Sequence, residues 1–172
     1  MNSLYIMCGL PFAGVSTVAR SFAKATDSIL ISFDQEHLIR DRSERTYYFT
    51  LTMRTLALEK VLELLKTGQS VVYDDHNFSR EERMSVRAQG LPERTHSYIV
   101  YVETPIETIL MRRTQRKQIK NAKQLWQKDL ETALEKFEIP NQAEDADLII
   151  IEPHDDIPSL IGARAFMEEG NR

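Results

Sequence analysis

Gly9 and Gly14 frame a short turn between the apolar run Leu4-Tyr5-Ile6-Met7-Cys8 and a helical pattern that begins near Ser16. No other stretch limits the fold so tightly. A strand that enters a glycine turn and leaves as a helix converges its backbone N–H groups, and the helix N-terminus adds positive potential. The turn Gly9-Leu10-Pro11-Phe12-Ala13-Gly14-Val15-Ser16-Thr17 therefore reads as a phosphate-binding loop. It fits the pattern Gly, four residues, Gly, Lys, Ser/Thr at every position but one, because Val15 stands where the lysine belongs. A charge-assisted contact of that kind contributes roughly 1.5–3 kcal/mol to binding. In a transition state, loss of one electrostatic stabiliser slows reaction by about 10²–10³.

The rest of the chain alternates short apolar runs with longer amphipathic ones. Strands are expected at Ile29 to Phe33 (ending on Asp34), Ser70 to Tyr73 (ending on Asp74-Asp75), Ser97 to Val102 and Leu148 to Ile151. Helices are expected from Ser16 to Ala25, Tyr47 to Lys66, Ser79 to Gly90, Pro105 to Phe137 and Pro158 to Glu169. The segment Ser79-Arg80-Glu81-Glu82 has the form of a capping box. Strands apolar on both faces and separated by helices imply a covered parallel sheet. The expectation is one α/β domain over residues 1–172: three layers, a five-stranded parallel sheet, and a basic helical lid at 105–137.

Composition removes several function classes. No apolar run approaches the roughly 20 residues that span a bilayer, and Met1 leads into a strand without the basic start of a signal peptide. Cys8 is the only cysteine, so no internal disulfide can form, and a cytoplasmic protein is the simplest expectation. Net charge is −4, yet Met111 to Lys128 holds seven basic residues and no acidic one. That block reads either as a solvated helix face or as a cationic cover for phosphates. Nucleic acid as a partner remains open, although the acidic balance and the lack of a standard binding signature speak against it.

Several separated blocks carry a resemblance. They are the loop Gly9 to Thr17; Ser32-Phe33-Asp34; Asp75-His76-Asn77-Phe78 followed by Arg80 and Arg83; Pro105 with Arg112 and Arg116; and Phe137-Glu138-Ile139-Pro140 followed by Glu144. In order and spacing the chain resembles the P-loop kinase-like family that includes bacteriophage polynucleotide kinase and the zeta-toxin-like kinases. The resemblance implies a P-loop NTPase fold with ATP and Mg²⁺ as cofactors. Gly9, Pro11, Phe12, Ala13, Gly14, Val15, Ser16 and Thr17 would cradle the nucleotide, with the Ser16 hydroxyl on Mg²⁺. Asp34 would act as general base towards an acceptor hydroxyl; a carboxylate at the end of a parallel strand faces the ligand crevice. Asp75 would bind Mg²⁺ or orient the acceptor, with Asp74 as the alternative because strand alternation points the two apart. Asn77, Arg80 and Arg83 would touch substrate. Arg112 and Arg116, four apart on one helical face, would grip the phosphates from the lid. Glu138 and Pro140 would lie beside the adenine. The chain departs from the family at Val15, and at His37, where an arginine often follows the aspartate.

Two functional expectations follow. One is a phosphotransferase that passes the γ-phosphate of ATP to a hydroxyl of a small molecule, nucleotide or polynucleotide. The other is an impaired kinase fold that binds a nucleotide or partner without turnover, an expectation that rests on Val15.

Overall fold

The computed structural model describes residues 2–32, 47–75, 77–117, 125–144, 147–152 and 154–161; for 47–53, 116–117 and 125–129 it describes the backbone alone. Five strands form one sheet: β1 (Asn2–Cys8), β2 (Ile29–Ser32), β3 (Val71–Asp74), β4 (Thr95–Val102) and β5 (Asp147–Ile151). Their order is β2-β3-β1-β4-β5, and every pairing is parallel. Leu4 lies opposite Val71 on one side and Ser97 on the other, so β1 is the centre of the sheet.

The strands fall where apolar runs predict them, and β1 and β4 begin earlier than expected. The reason is polar pairing at their starts. Asn2 Nδ2 donates to the carbonyls of Leu65 (2.7 Å) and Gln69 (3.1 Å), and Thr95 Oγ1 donates to Asn2 Oδ1 (3.1 Å). A buried amide with its partners in place extends a strand as well as an apolar side chain does.

The helices are α1 (Val15–Ala25), α2 (Tyr47–Lys66), α3 (Arg80–Arg87), α4 (Ile106–Lys117) and α5 (Leu125–Lys136), with a 3₁₀ turn at Gln142–Glu144 and a helical turn at 157–161, where the last expected helix begins; the rest of that helix lies outside the described residues. The capping box forms as expected: Glu82 N donates to Ser79 Oγ (3.1 Å), and Ser79 N donates to Glu82 Oε2 (3.0 Å). Pro105 sits just before α4, and its carbonyl accepts from Thr108 N (3.0 Å) and Ile109 N (3.1 Å). The region expected as helical from Pro105 to Phe137 holds α4 and α5, and residues 118–124 between them lie outside the described residues.

Alternation along the strands divides the core in two. Met7, Val72, Val100, Val102, Ile149 and Ile151 face the layer that holds Ala19 and Phe22 of α1, Ile109 of α4 and Leu130 of α5. Leu4, Ile6, Ile31, Val71 and Tyr73 face Leu58, Val61 and Leu65 of α2 and Val86 of α3. From β1 the chain first builds the β3-β2 side, then crosses to β4 and β5. In such a sheet the crevice beyond the carboxyl ends, where the order reverses, is the place for a ligand.

Candidate nucleotide site at the end of the first strand

β1 ends at Cys8 and the chain turns at once. A Cβ on Gly9 would stand 2.7 Å from Val15 Cγ2 and 3.2 Å from the Val102 carbonyl oxygen, so only glycine passes. Phe12 (φ 68°) and Gly14 (φ 100°) take left-handed backbone, which for Phe12 costs about 1–2 kcal/mol. Hydrogen bonds hold the strained turn. Ala13 N donates to Leu10 O (3.0 Å), Thr104 Oγ1 donates to Ala13 O (3.0 Å), and Arg112 Nη1 donates to the carbonyls of Phe12 (3.1 Å) and Ala13 (2.8 Å).

The loop opens onto a bare helix end. Gly14 caps α1 without any side-chain hydrogen bond, and no acidic residue lies in the first turn. Thr17 N (2.9 Å) and Val18 N (3.0 Å) donate to Gly14 O. The amides of Val15 and Ser16 come before these first helical donors, so the helix itself offers them no acceptor. Such an end, with its dipole, attracts an anion. Val15 is half-buried and packs against the α1-side core, so at this position the loop contributes packing and no charge.

Two neighbouring carboxylates mark the rim of the sheet. Asp74 ends β3, is buried, and accepts from Ser32 Oγ at the end of β2 (3.2 Å). Val72 and Leu30 share the faces of Asp74 and Ser32 by strand parity, and both belong to the α1 side of the core. Asp75 turns the other way. Its Oδ2 accepts from Tyr73 OH (2.7 Å) and pairs with Arg54 Nε of α2 (3.3 Å). Burial first, and then the Asp75 carboxylate, push the Tyr73 phenol far above its ordinary range. Arg54 also donates to Asn77 Oδ1 (3.3 Å) and approaches Glu82 of α3 (3.8 Å). Asp75 is thus committed to α2, and Asp74 is the carboxylate on the face of the loop helix.

Neither Arg83 nor Asn77 is open to a substrate, contrary to expectation. Both are 0% exposed. Arg83 Nε and Nη2 donate to the two oxygens of Glu144 (2.8 and 2.7 Å), while Nη1 donates to the carbonyls of Asn77 (3.1 Å) and Phe78 (3.0 Å). Burial works against the charge on Arg83, but the Glu144 hydrogen bonds overcome it and hold the guanidinium protonated above its usual range. Asn77 Nδ2 donates to Met7 O (2.9 Å), tying the turn after β3 to β1. Burial pushes the neighbouring Cys8 thiol up to about 12, so Cys8 is a small core residue, as its strand position suggests.

Arg80 is exposed; its Nη2 donates to Ala143 O (3.0 Å) and its N donates to Glu138 Oε2 (2.5 Å). Glu138 therefore accepts the first amide of α3, beside the Ser79 cap. Phe137 lies against Tyr101, ring centres 5.9 Å apart, which is packing of the returning chain onto the sheet. Asp34 and His37 lie outside the described residues, and of Arg116 only the backbone is described.

Of the residues singled out in the sequence, the structure brings the loop, Asp74 and Arg112 to one side of the sheet end and turns Asp75 towards α2. Sequence reasoning missed Arg54 and Thr104, whose roles come from partners 21 and 91 positions away. A partial signal exists for the Glu144 anchor: Arg80, Arg83 and Arg87 share one face of α3, and all three bind the segment 143–144.

No curated protein matches the chain in sequence. Among solved structures, Kti12 of Chaetomium thermophilum in complex with ADP-AlF3 is similar, with a TM-score of 0.72 at 20% identity over 96% of this chain and 97% of that one. A sugar kinase from Janibacter gives 0.66 at 17% identity, covering 97% and 94%. A gluconokinase from Sinorhizobium meliloti gives 0.61 at 20% identity, covering 98% and 94%. At these identities the likeness is one of fold. A family model described as an AAA domain matches residues 4–140, from the first strand past α5. The chain belongs to this AAA-domain family of P-loop kinase-like proteins.

Proposed function

We propose that the chain binds ATP on the loop Gly9 to Thr17 and passes its γ-phosphate to a hydroxyl acceptor in the crevice beyond β1, β3 and β2. The observation that carries this reading is the N-terminus of α1, without a side-chain cap, behind a turn whose Phe12 and Ala13 carbonyls are taken by Arg112 and Thr104. Phosphoryl transfer needs positioning and electrostatic stabilisation more than covalent help from the protein. The loop amides supply the first, and the rim acids and lid arginines bear on the second.

A Mg²⁺ ion fits the oxygen donors here. Among the described residues, no three His, Cys, Asp or Glu side chains gather to hold a metal alone. Mg²⁺ in nucleotide sites takes only one or two protein oxygens besides phosphate and water. Ser16, in the first turn of α1, and Asp74, on the sheet face that α1 covers, would hold it. Asp74 thereby takes the role the sequence assigned to Asp75. When bound, Mg²⁺ neutralises charge on the β- and γ-phosphates. Asp34 is the candidate base for the acceptor hydroxyl, His37 the neighbouring acceptor contact, and Arg116 the candidate lid cation. The sugar kinase and the gluconokinase of like fold make a small polyhydroxylated acceptor the first class to try. No described helix is long and apolar enough to cross a membrane, and the free buried thiol suits a reducing cytoplasm.

Calorimetric titration with ATP, with and without Mg²⁺, tests the binding half. Saturable binding that tightens with Mg²⁺ is expected. Transfer of labelled γ-phosphate to a panel of sugars, nucleosides and oligonucleotides tests the rest. Binding without transfer to any acceptor would replace the kinase reading with that of a nucleotide-binding module.

A further inference from the structure

Val15 leaves the loop without an ammonium group, and the structure sets a guanidinium against the loop's outer side. Arg112 Nη1 donates to Phe12 O (3.1 Å) and Ala13 O (2.8 Å), and lies 3.4 Å from where a Cβ on Gly14 would stand. Thr104 Oγ1 takes the same Ala13 carbonyl at 3.0 Å. Among the described residues the partners of Arg112 are these backbone carbonyls, and no carboxylate pairs with it.

Peptide geometry connects this outer contact to the inner surface. In a trans peptide the C=O and N–H vectors point in opposite directions. A carbonyl of Phe12 fixed outward turns the N–H of Ala13 inward, where it meets Leu10 O. A carbonyl of Ala13 fixed outward turns the N–H of Gly14 inward, beside the amides of Val15 and Ser16. A charged donor on the carbonyl also polarises its peptide and strengthens the N–H on the far edge. Val15 cannot do this work, since its Cγ2 lies against Gly9.

Resting on the nucleotide-binding reading above, we propose that Arg112 performs the electrostatic task of the absent loop lysine from outside the loop. It is a positioning residue: it aims the Gly14 amide and brings one positive charge to the loop through the backbone. This differs from a lid arginine that closes directly on phosphate. The ligand that senses it is the polyphosphate and not the base.

The test is a cycle of variants read by calorimetry with two probes, Mg-ATP and inorganic tripolyphosphate. Arg112→Gln is expected to weaken both probes by about 10- to 100-fold, the span of one lost charge-assisted contact. Arg112→Lys, which keeps the charge without the planar fork, should recover part of that loss. Val15→Lys is expected to rescue the Arg112→Gln protein to within about threefold of wild type, and to help wild type much less. Rescue also separates the effect from misfolding, because a lysine at 15 cannot refold a collapsed chain. Equal gains from Val15→Lys in both backgrounds would overturn the assignment, as would Arg112→Gln binding like wild type. A loss confined to ATP and absent with tripolyphosphate would mean that Arg112 contacts the base, which also overturns it. If wild type binds neither probe, the nucleotide reading falls, and this assignment with it.

Discussion

Arg83 and Arg112 both follow a sheet strand on a helix, and both look like phosphate ligands in the sequence. Their surroundings divide them. Arg83 is wholly buried, bidentate to Glu144, and its remaining donors meet backbone carbonyls. Arg112 is half-buried and meets two carbonyls of the loop, with no carboxylate beside it among the described residues. A guanidinium matched by a buried carboxylate is spent on architecture. One that meets only backbone carbonyls among the described residues, beside the proposed phosphate loop, is the one assigned above to a ligand. Residue type and spacing cannot tell the two apart; the location of the nearest acid can.

The largest test of that contrast is Arg83→Met. It strands Glu144 in the core and should cost about 3–5 kcal/mol in urea unfolding. Replacing both partners, Arg83→Met with Glu144→Leu, should cost less than either single change. A double variant as unstable as the sum would mean that the pair does not act as a unit. Arg112→Gln should behave in the opposite way, lowering stability by only about 1 kcal/mol while nucleotide affinity falls as described above. If its unfolding midpoint drops as far as that of Arg83→Met, Arg112 is architectural too and the contrast is broken.

Smaller effects sharpen the two regions. Ser79→Ala removes the α3 cap beside the Arg83 anchor and should cost about 1 kcal/mol, with no change in ATP affinity. The smallest effect is conditional on pH. Burial raises the Cys8 thiol from 9.0 to about 12, so folding suppresses its ionisation. The unfolded chain releases that proton near its ordinary value and the folded chain does not. Stability is therefore intact below about pH 9 and declines as pH rises towards 12. Cys8→Ala should flatten that alkaline slope; a Cys8 that is alkylated readily at pH 8 in the native protein would contradict the burial.

Much of this architecture was legible because it is written in neighbours. The helix expected from its apolar spacing stands at α2 and ends at Lys66 as expected, and the Ser79 box formed where its four residues stand. The loop declared itself through two glycines and a serine. What stayed hidden needed the third dimension. Parity already separates Asp74 from Asp75, but which of them faces the loop depends on which side of the sheet α1 covers, and no local pattern states that. Arg83 meets Glu144 across 61 positions, and Arg112 meets Phe12 across 100. Arg54 had no local cue at all; its meaning is Asp75.

The contact of Val15 with Gly9 has a consequence for anyone who would restore the missing lysine. The two positions share one small volume: the valine methyl fills the notch that the glycine leaves open. Exchanging valine for an unbranched chain removes that wedge along with adding a charge. Sites 9 and 15 should therefore be engineered, and compared between relatives, as a single interlocked pair.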